Sequence, residues 1–328
     1  MKAIICTKYG SPEVLQLQEV EKPSPRDDEV LVKVRAASVT YSNLMLVIGK
    51  PFIGRLMGTG LFKPKQRIPG SDIAGQVEAL GKNVEQFQTG DEVYGDLSMC
   101  GKGGFAEYVC APENALAHKP ANLSFEQAAA VPEAALVALQ ALRDVGKIQP
   151  GKKVLIYGAS GGIGTFAVQL AKFFDAEVTG VCSSKNLDLV RLIGADHVID
   201  YTQEDFTQNG QRYDLILAAA GYRSIFDFKR SLNPDGIYVC TGGSMKQVFQ
   251  GLLLGPLISI TGKRKMGSMM VKPNKDLNFV KELIEADKVK PVIDKRYLLS
   301  EVAEALRYYG EGHARGKVII AVEHKNDS

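Results

Sequence analysis

Along residues 29–39, EVLVKVRAASV, apolar and polar side chains alternate: Val30, Val32 and Val34 share one face, Leu31, Lys33 and Arg35 the other. That is the period of two of a half-exposed strand. Further short runs, DIAGQVEALG, DEVYGD and GFAEYVCAPEN, are bounded by turn residues, so the chain to about Ala121 reads as a mainly antiparallel β domain. After Asn122 the pattern changes. SFEQAAAVPEAALVALQAL is Ala-rich and opens on Ser124, with Gln127 at capping-box spacing. Apolar runs then alternate with helical stretches: KVLIYG, a helix, EVTGVCS, a helix ending near Gly194, HVID, YDLILAAAG and GIYVCTGG. Strands alternating with helices predict a parallel sheet wound on both faces. Near Thr261 the alternation stops, leaving two helical stretches, LNFVKELIEADKV and SEVAEALRYYG, and one strand, KVIIAV. That is too little chain for a third domain. The fold class read from the pattern is α/β: a doubly wound parallel sheet over 123–264, inserted in a β domain of 1–122 that 265–328 returns to complete.

Composition narrows the function classes. A chain of 328 residues with 45% hydrophobic side chains carries two cores. Its 40 basic and 37 acidic residues give a formal charge of +3 with no basic block. There is no electrostatic footprint for nucleic acid or an anionic membrane, although small anionic ligands fit. Cys6, Cys100, Cys110, Cys182 and Cys240 are scattered, with no C-x-x-C pair, which predicts a reducing compartment. MKAIICTKYG has too short an apolar stretch for a signal peptide. GLLLGPLISI, the most apolar later segment, falls far short of the roughly 20 residues of a membrane span and contains Pro256. A cytoplasmic protein without a membrane span is expected.

The loop YGASGGIG, residues 157–164, follows the apolar run Val154, Leu155, Ile156. Ile163, Phe166, Ala167, Leu170, Ala171 and Phe174 recur after it at helical spacing. A glycine-rich loop between a buried strand and a helix is the setting of a dinucleotide fingerprint, in which the helix N-terminus faces pyrophosphate. Aligned on Gly161 and Gly164, the first fingerprint glycine is Ala159. Ser160 either bonds a phosphate oxygen or caps the helix, and Gly161, Gly162 and Ile163 complete the phosphate loop.

The end of the second strand reports on the cofactor. An NAD-selective fold places an acid there for the ribose 2′-hydroxyl. Here the sequence is GVCSSKN, with Cys182 at the acid's place, then Ser183, Ser184 and Lys185. Hydroxyls and a cation suit a 2′-phosphate, so NADPH is favoured over NADH; a polar turn starting a helix is the plain alternative. Tyr201, after HVID, lies at the carboxyl edge of the sheet, either over the adenine ribose phosphate or as an exposed loop tyrosine. Ala220 and Gly221 of AAAGY, and Thr241 and Gly242 of TGGS, follow later strands and are further cofactor contacts or plain turns.

With these stretches in order, the chain resembles the medium-chain dehydrogenase/reductase superfamily, in its zinc-free quinone oxidoreductase (zeta-crystallin-like) branch. The carriers span nearly the whole sequence: RAASVTYSN, IPGSDIAGQVEALGKNVEQFQTGDEVYG, GGFAEYV, GASGGIGTFAVQLAK, GADHVIDY and GHARGKVII. The resemblance implies a Rossmann domain inserted in a GroES-like β domain, cofactor and substrate between them, and a homodimer. Zinc-dependent relatives carry a Cys in the stretch matching VTYSN and a His-Glu pair after Pro-Gly; this chain has Thr40 and Ser71-Asp72 there. No metal is expected. Without a Lewis acid, the chemistry shifts to electron-poor acceptors, a quinone or an α,β-unsaturated carbonyl.

Tyr41 and Asn43 lie in the stretch that the family places beside the nicotinamide, where the family often has Asn-Pro-x-Asp; the resemblance implies Asn43 bonding carboxamide or substrate and Tyr41 donating to the developing oxyanion. The other reading makes them buried polar groups that satisfy backbone. His118 and His197 read as structural. His313, Arg315 and Lys317 of GHARGK either reach the cofactor or form a solvated basic turn. Residues 48–70, Gly-rich, apolar and basic, are either a mobile substrate lid or a surface loop. The expectation is an NADPH-dependent, zinc-independent reductase of quinones or enones; a strict alkenal or enoyl double-bond reductase and a non-catalytic NADPH-binding scaffold or redox regulator stand as alternatives.

Overall fold

The structure is a computed structural model that describes residues 1–101, 103–220, 223–242, 250, 254–255, 259–260 and 263–324. The chain divides into two compact units, Met1–Glu133 with Pro273–Glu285 and Pro291–Ser328, and Ala134–Lys272 with Ala286–Lys290.

In the first unit, the long strand Glu29–Val39 pairs antiparallel with Asp72–Leu80, Tyr108–Pro112 and Lys317–Ala321. Its two faces are buried more completely than alternation alone predicts: Leu31 is 4% exposed beside Val30 and Val32 at 0%, and the strand sits in the middle of a seven-stranded sheet. Glu92–Asp96 and Ala117–His118 extend one side. On the other side Ile293–Leu298 pairs parallel with Lys317–Ala321. The C-terminal strand therefore completes the sheet begun near residue 30, and the α/β unit is an insertion in a GroES-like β domain. The capped helix Phe125–Ala129 belongs to this first unit and packs on its strands; Ser124 and Gln127 form the reciprocal capping box that their spacing predicts.

The second unit holds a six-stranded, wholly parallel sheet in the order His197–Asp200, Glu177–Cys182, Lys153–Tyr157, Tyr213–Ala218, Leu232–Cys240, Lys265–Ser268. Counted along the chain this is 3-2-1-4-5-6, the doubly wound Rossmann order, whose switch point lies between the first and fourth strands. The sixth strand corrects the expectation that the alternation ends near Thr261. Lys265–Ser268 has four residues, KMGS, and only Met266 is buried, so it carries no apolar run; pairing with Leu232–Cys240 makes it a strand. Among the described residues, no helix is long and apolar enough to cross a membrane.

Candidate functional site

The strand Lys153–Tyr157 is buried from Val154 onward and ends at Gly158. Gly158 has φ +85°, and a Cβ there would stand 2.7 Å from the Ala220 methyl; only glycine makes this turn beside the fourth strand. Gly164 is equally constrained, since its Cβ would lie 2.1 Å from the Gly158 carbonyl oxygen. Gly161 differs. A Cβ on it would meet nothing nearer than the Gly158 oxygen at 3.5 Å, so the protein's own packing does not require glycine there. The open face lies above the first turn of the helix Gly162–Phe173, where Gly162, Ile163 and Gly164 present N–H groups that lack intrahelical partners. Backbone that a side chain would cover, beside outward N–H groups, fits a pyrophosphate.

The loop is coupled to the end of the second strand. Ser160, buried, accepts a hydrogen bond from Asn186 Nδ2 at 3.0 Å, and the same amide donates to Ser183 Oγ at 3.3 Å. Asn186 Oδ1 is buried with no partner among the described residues. Sequence reading stopped at Ser183 and Lys185 and missed Asn186, which ties the two loops together; its position after SSK is the only signal it leaves. Lys185 is exposed and has no side-chain partner among the described residues. Cys182 stands where an acid would, and burial pushes its thiol up to about 11, so it is uncharged at neutral pH and does not repel a phosphate.

Tyr201 is half exposed, and its N–H donates to the Cys182 carbonyl at 3.1 Å, which sets it beside this loop. The carboxylate of the neighbouring Asp200 is engaged by the Ser184 hydroxyl at 2.5 Å and by the Thr202 N–H and hydroxyl. Ala219 and Ala220 donate N–H bonds to the Tyr157 carbonyl, and Thr241 donates to Ala218. A Cβ on Gly242 would reach the Ala219 oxygen at 2.6 Å. The same carboxyl edge thus carries Ser160, Gly161, Gly162, Ile163, Ser183, Lys185, Tyr201, Ala220, Thr241 and Gly242; Gly221 lies outside the described residues. Arg223, also missed from sequence, donates to Asp205 at 2.9 Å, forming an ion pair beside this edge.

A second polar constellation lies inside the first unit. Thr40 caps the helix Tyr41–Ile48, and Asn43 completes its capping box: the Thr40 N–H donates to Asn43 Oδ1 at 3.1 Å. Asn43 Nδ2 donates to Ser71 Oγ at 3.2 Å, and the side chain is fully buried. This geometry favours the reading in which Asn43 satisfies backbone, while Tyr41 is 42% exposed. Asp72 accepts from the Glu133 N–H at 3.1 Å, the Ser38 hydroxyl at 2.9 Å and Lys317 Nζ at 3.2 Å. Lys317 is therefore buried against Asp72 and not on a solvated turn, a correction that the run GHARGK could not reveal. His313 and Arg315 are exposed in the loop before it, with the Arg315 N–H on Asp294 at 3.0 Å. Tyr9 ties residues 48–70 down through bonds to Thr59 and Gly60, while Phe52, Leu56 and Phe62 remain exposed. Among the described residues, no group of three or more His, Cys, Asp or Glu side chains is placed to hold a metal.

Residues 26–121 match the family model described as the alcohol dehydrogenase GroES-like domain, and residues 193–320 that described as zinc-binding dehydrogenase. The chain is similar to the chloroplastic quinone-oxidoreductase QR1 of Triphysaria versicolor, 34% identical over 98% of both chains. It is also similar to 2-methylene-furan-3-one reductase of Solanum lycopersicum, 35% identical over 98% of this chain and 79% of that protein. Among solved structures, the quinone oxidoreductase from Coxiella burnetii superposes with a TM-score of 0.86 at 30% identity, covering 98% of this chain and 99% of that one. Both the fold and these relationships establish that the chain belongs to the medium-chain dehydrogenase/reductase superfamily of oxidoreductases, in its quinone oxidoreductase-like branch.

Proposed function

We propose that this oxidoreductase is an NADPH-dependent, zinc-independent reductase that transfers hydride to quinones or other α,β-unsaturated carbonyls. The observation that carries the reading is the linked pair of loops: Gly161 left open at a helix N-terminus, and Ser160 joined through Asn186 to Ser183 beside an uncharged Cys182 and a Lys185 unpaired among the described residues. The first suits pyrophosphate; the second suits a 2′-phosphate better than a bare ribose hydroxyl. When bound, NADPH supplies the hydride. The chain's own residues hold the cofactor: N–H groups of Gly162 and Ile163 on pyrophosphate, Ser183 and Lys185 on the 2′-phosphate, Tyr201 over the ribose, and Ala220, Thr241 and Gly242 along the carboxyl edge. From the family resemblance we also assign His313 and Arg315 to the cofactor and Tyr41 as the proton donor to the carbonyl oxygen as it gains charge.

Zinc independence is supported by the side chains at the ligand positions. Thr40 is spent on a helix cap, Ser71 on Asn43, and Asp72 on Lys317. A hydroxyl-rich set with an ammonium against its carboxylate is a poor zinc site. The resemblance to 2-methylene-furan-3-one reductase favours enones as the second acceptor class. We further take the protein to be a homodimer acting on small molecules, without a nucleic-acid partner. Its free cysteines support a reducing compartment, which we take as the cytoplasm, although relatives are named as chloroplastic.

The test is NADPH oxidation followed by absorbance, air-free, across a panel of quinones and enones with NADH alongside. Turnover with NADPH and a quinone or enone is expected. NADPH binding without turnover on any acceptor would leave only the scaffold reading, and stoichiometric zinc in protein purified without chelator would overturn the zinc-independent part.

A further inference from the structure

The amino-terminal ends of the parallel strands, opposite the glycine loop, carry a second concentration of charge. A cavity of about 570 Å³ is lined there by Arg212, Lys229, Arg230 and Arg264, together with Phe226 and Thr207, and no carboxylate among the described residues lines it. Arg212 precedes the strand Tyr213–Ala218, Arg264 precedes Lys265–Ser268, and Lys229 and Arg230 close the helix Ile225–Arg230. At about 3.3 Å per residue, the length of the strand Tyr213–Ala218 sets this cavity roughly 17 Å from the carboxyl edge.

Two of the guanidinium groups converge on one acceptor. Arg264 donates to the Leu232 carbonyl at 3.0 Å and to Asn233 at 3.2 Å, and Arg212 donates to the same Leu232 oxygen at 3.4 Å. A carbonyl offers only partial negative charge, so the pair is held close without neutralisation. Arg230 is paired with Asp227 at 2.5 Å, whereas Arg212, Lys229 and Arg264 have no carboxylate partner among the described residues. The helix C-terminus accounts for Lys229 and Arg230, because cations are favoured there. It does not account for Arg212 and Arg264, which arrive from two different strands.

We infer that this cavity is a second anion site, distinct from the dinucleotide cradle, that takes the oligophosphate group of a small molecule. Oriented guanidinium forks with an ammonium match phosphate oxygens, and the volume suits a nucleotide-sized ligand. Free oligophosphate and a nucleoside diphosphate share this chemistry; Phe226, 49% exposed at the cavity, is positioned to stack a base in the second case.

The experiment is calorimetric titration of the full chain saturated with NADPH, so that the cradle is filled, with inorganic pyrophosphate and separately with ADP at low salt. One site per chain is expected, and Lys229→Glu, which breaks no described contact, weakens it at least about tenfold without altering NADPH affinity. Lys185→Glu leaves it unchanged. Stronger binding of ADP that falls to the pyrophosphate value in Phe226→Ala identifies a nucleotide ligand; equal binding identifies the phosphate group alone. The proposal is overturned if neither probe binds below about 1 mM, or if Lys229→Glu and Arg212→Gln, both verified as folded, bind as the parent does. Should the protein prove unable to bind NADPH, the same titration on the cofactor-free chain still decides this site through Lys229→Glu.

Discussion

Lys317 Nζ lies 3.2 Å from Asp72 Oδ2, with the two side chains 5% and 0% exposed. The pair joins the last strand to the strand Asp72–Leu80, across 245 positions of sequence. Removing one partner leaves an uncompensated buried charge, so Lys317→Met or Asp72→Asn alone is expected to cost about 3–5 kcal/mol. The double variant recovers at least half of that loss, because removing both partners leaves no buried charge without its counter-ion. Urea denaturation of the four proteins measures this; strictly additive losses would show that the two side chains act separately. Burial also pushes the Asp72 carboxyl upward, against the pull of Lys317. An acid raised on folding adds stability that is complete below its unfolded pKa and lost as pH rises through the folded one. The parent therefore loses stability relative to the double variant as pH rises above the ordinary aspartate range of about pH 4.

Gly161 and Gly164 separate cofactor binding from folding. Gly161→Ala places a methyl in the open face of the loop, with nothing closer than 3.5 Å. Its stability should stay within about 0.5 kcal/mol of the parent, while NADPH binding weakens at least about tenfold. Gly164→Ala drives a methyl to 2.1 Å from the Gly158 oxygen and should cost about 1–3 kcal/mol of stability. Unchanged NADPH affinity in Gly161→Ala would show that the loop does not hold pyrophosphate.

The preference between cofactors should reside in Ser183 and Lys185. Lys185→Glu restores the carboxylate that an NAD-selective fold presents at this edge. The ratio of kcat/KM for NADPH over NADH is expected to fall at least about tenfold, equivalent to about 1.4 kcal/mol, chiefly through KM for NADPH. A ratio that does not move places the 2′-phosphate elsewhere.

Cys182 is 2% exposed, and its thiol is pushed by burial to about 11. The thiolate is the reactive form, so iodoacetamide at pH 8 should leave Cys182 unmodified in the native protein and label it after denaturation. Peptide mass spectrometry reads both states. Ready alkylation of the native thiol would remove the argument that this position is uncharged.

Much of the fold could be read from the chain because local pattern carried it. Alternation marked Glu29–Val39, apolar runs marked Lys153–Tyr157 and Tyr213–Ala218, and Ser124 with Gln127 announced a helix start. Ile293–Leu298 and Lys265–Ser268 were not legible: IDKRYL is half polar and KMGS is short. Each is a strand because a neighbouring strand offers it hydrogen bonds, information that lies far away in the sequence.

The sequence by itself determined an α/β insertion, a glycine loop between strand and helix, and the polar run SSKN where an acid would signal NAD. Those are properties of neighbours along the chain, set by periodicity and backbone freedom. Tertiary structure alone decided that Asn186 bridges Ser160 to Ser183, that Asn43 is consumed by a helix cap and Ser71, and that Lys317 turns inward to Asp72. A buried polar group must find its partner wherever packing delivers one, and residues so paired stand as far apart as Asp72 and Lys317.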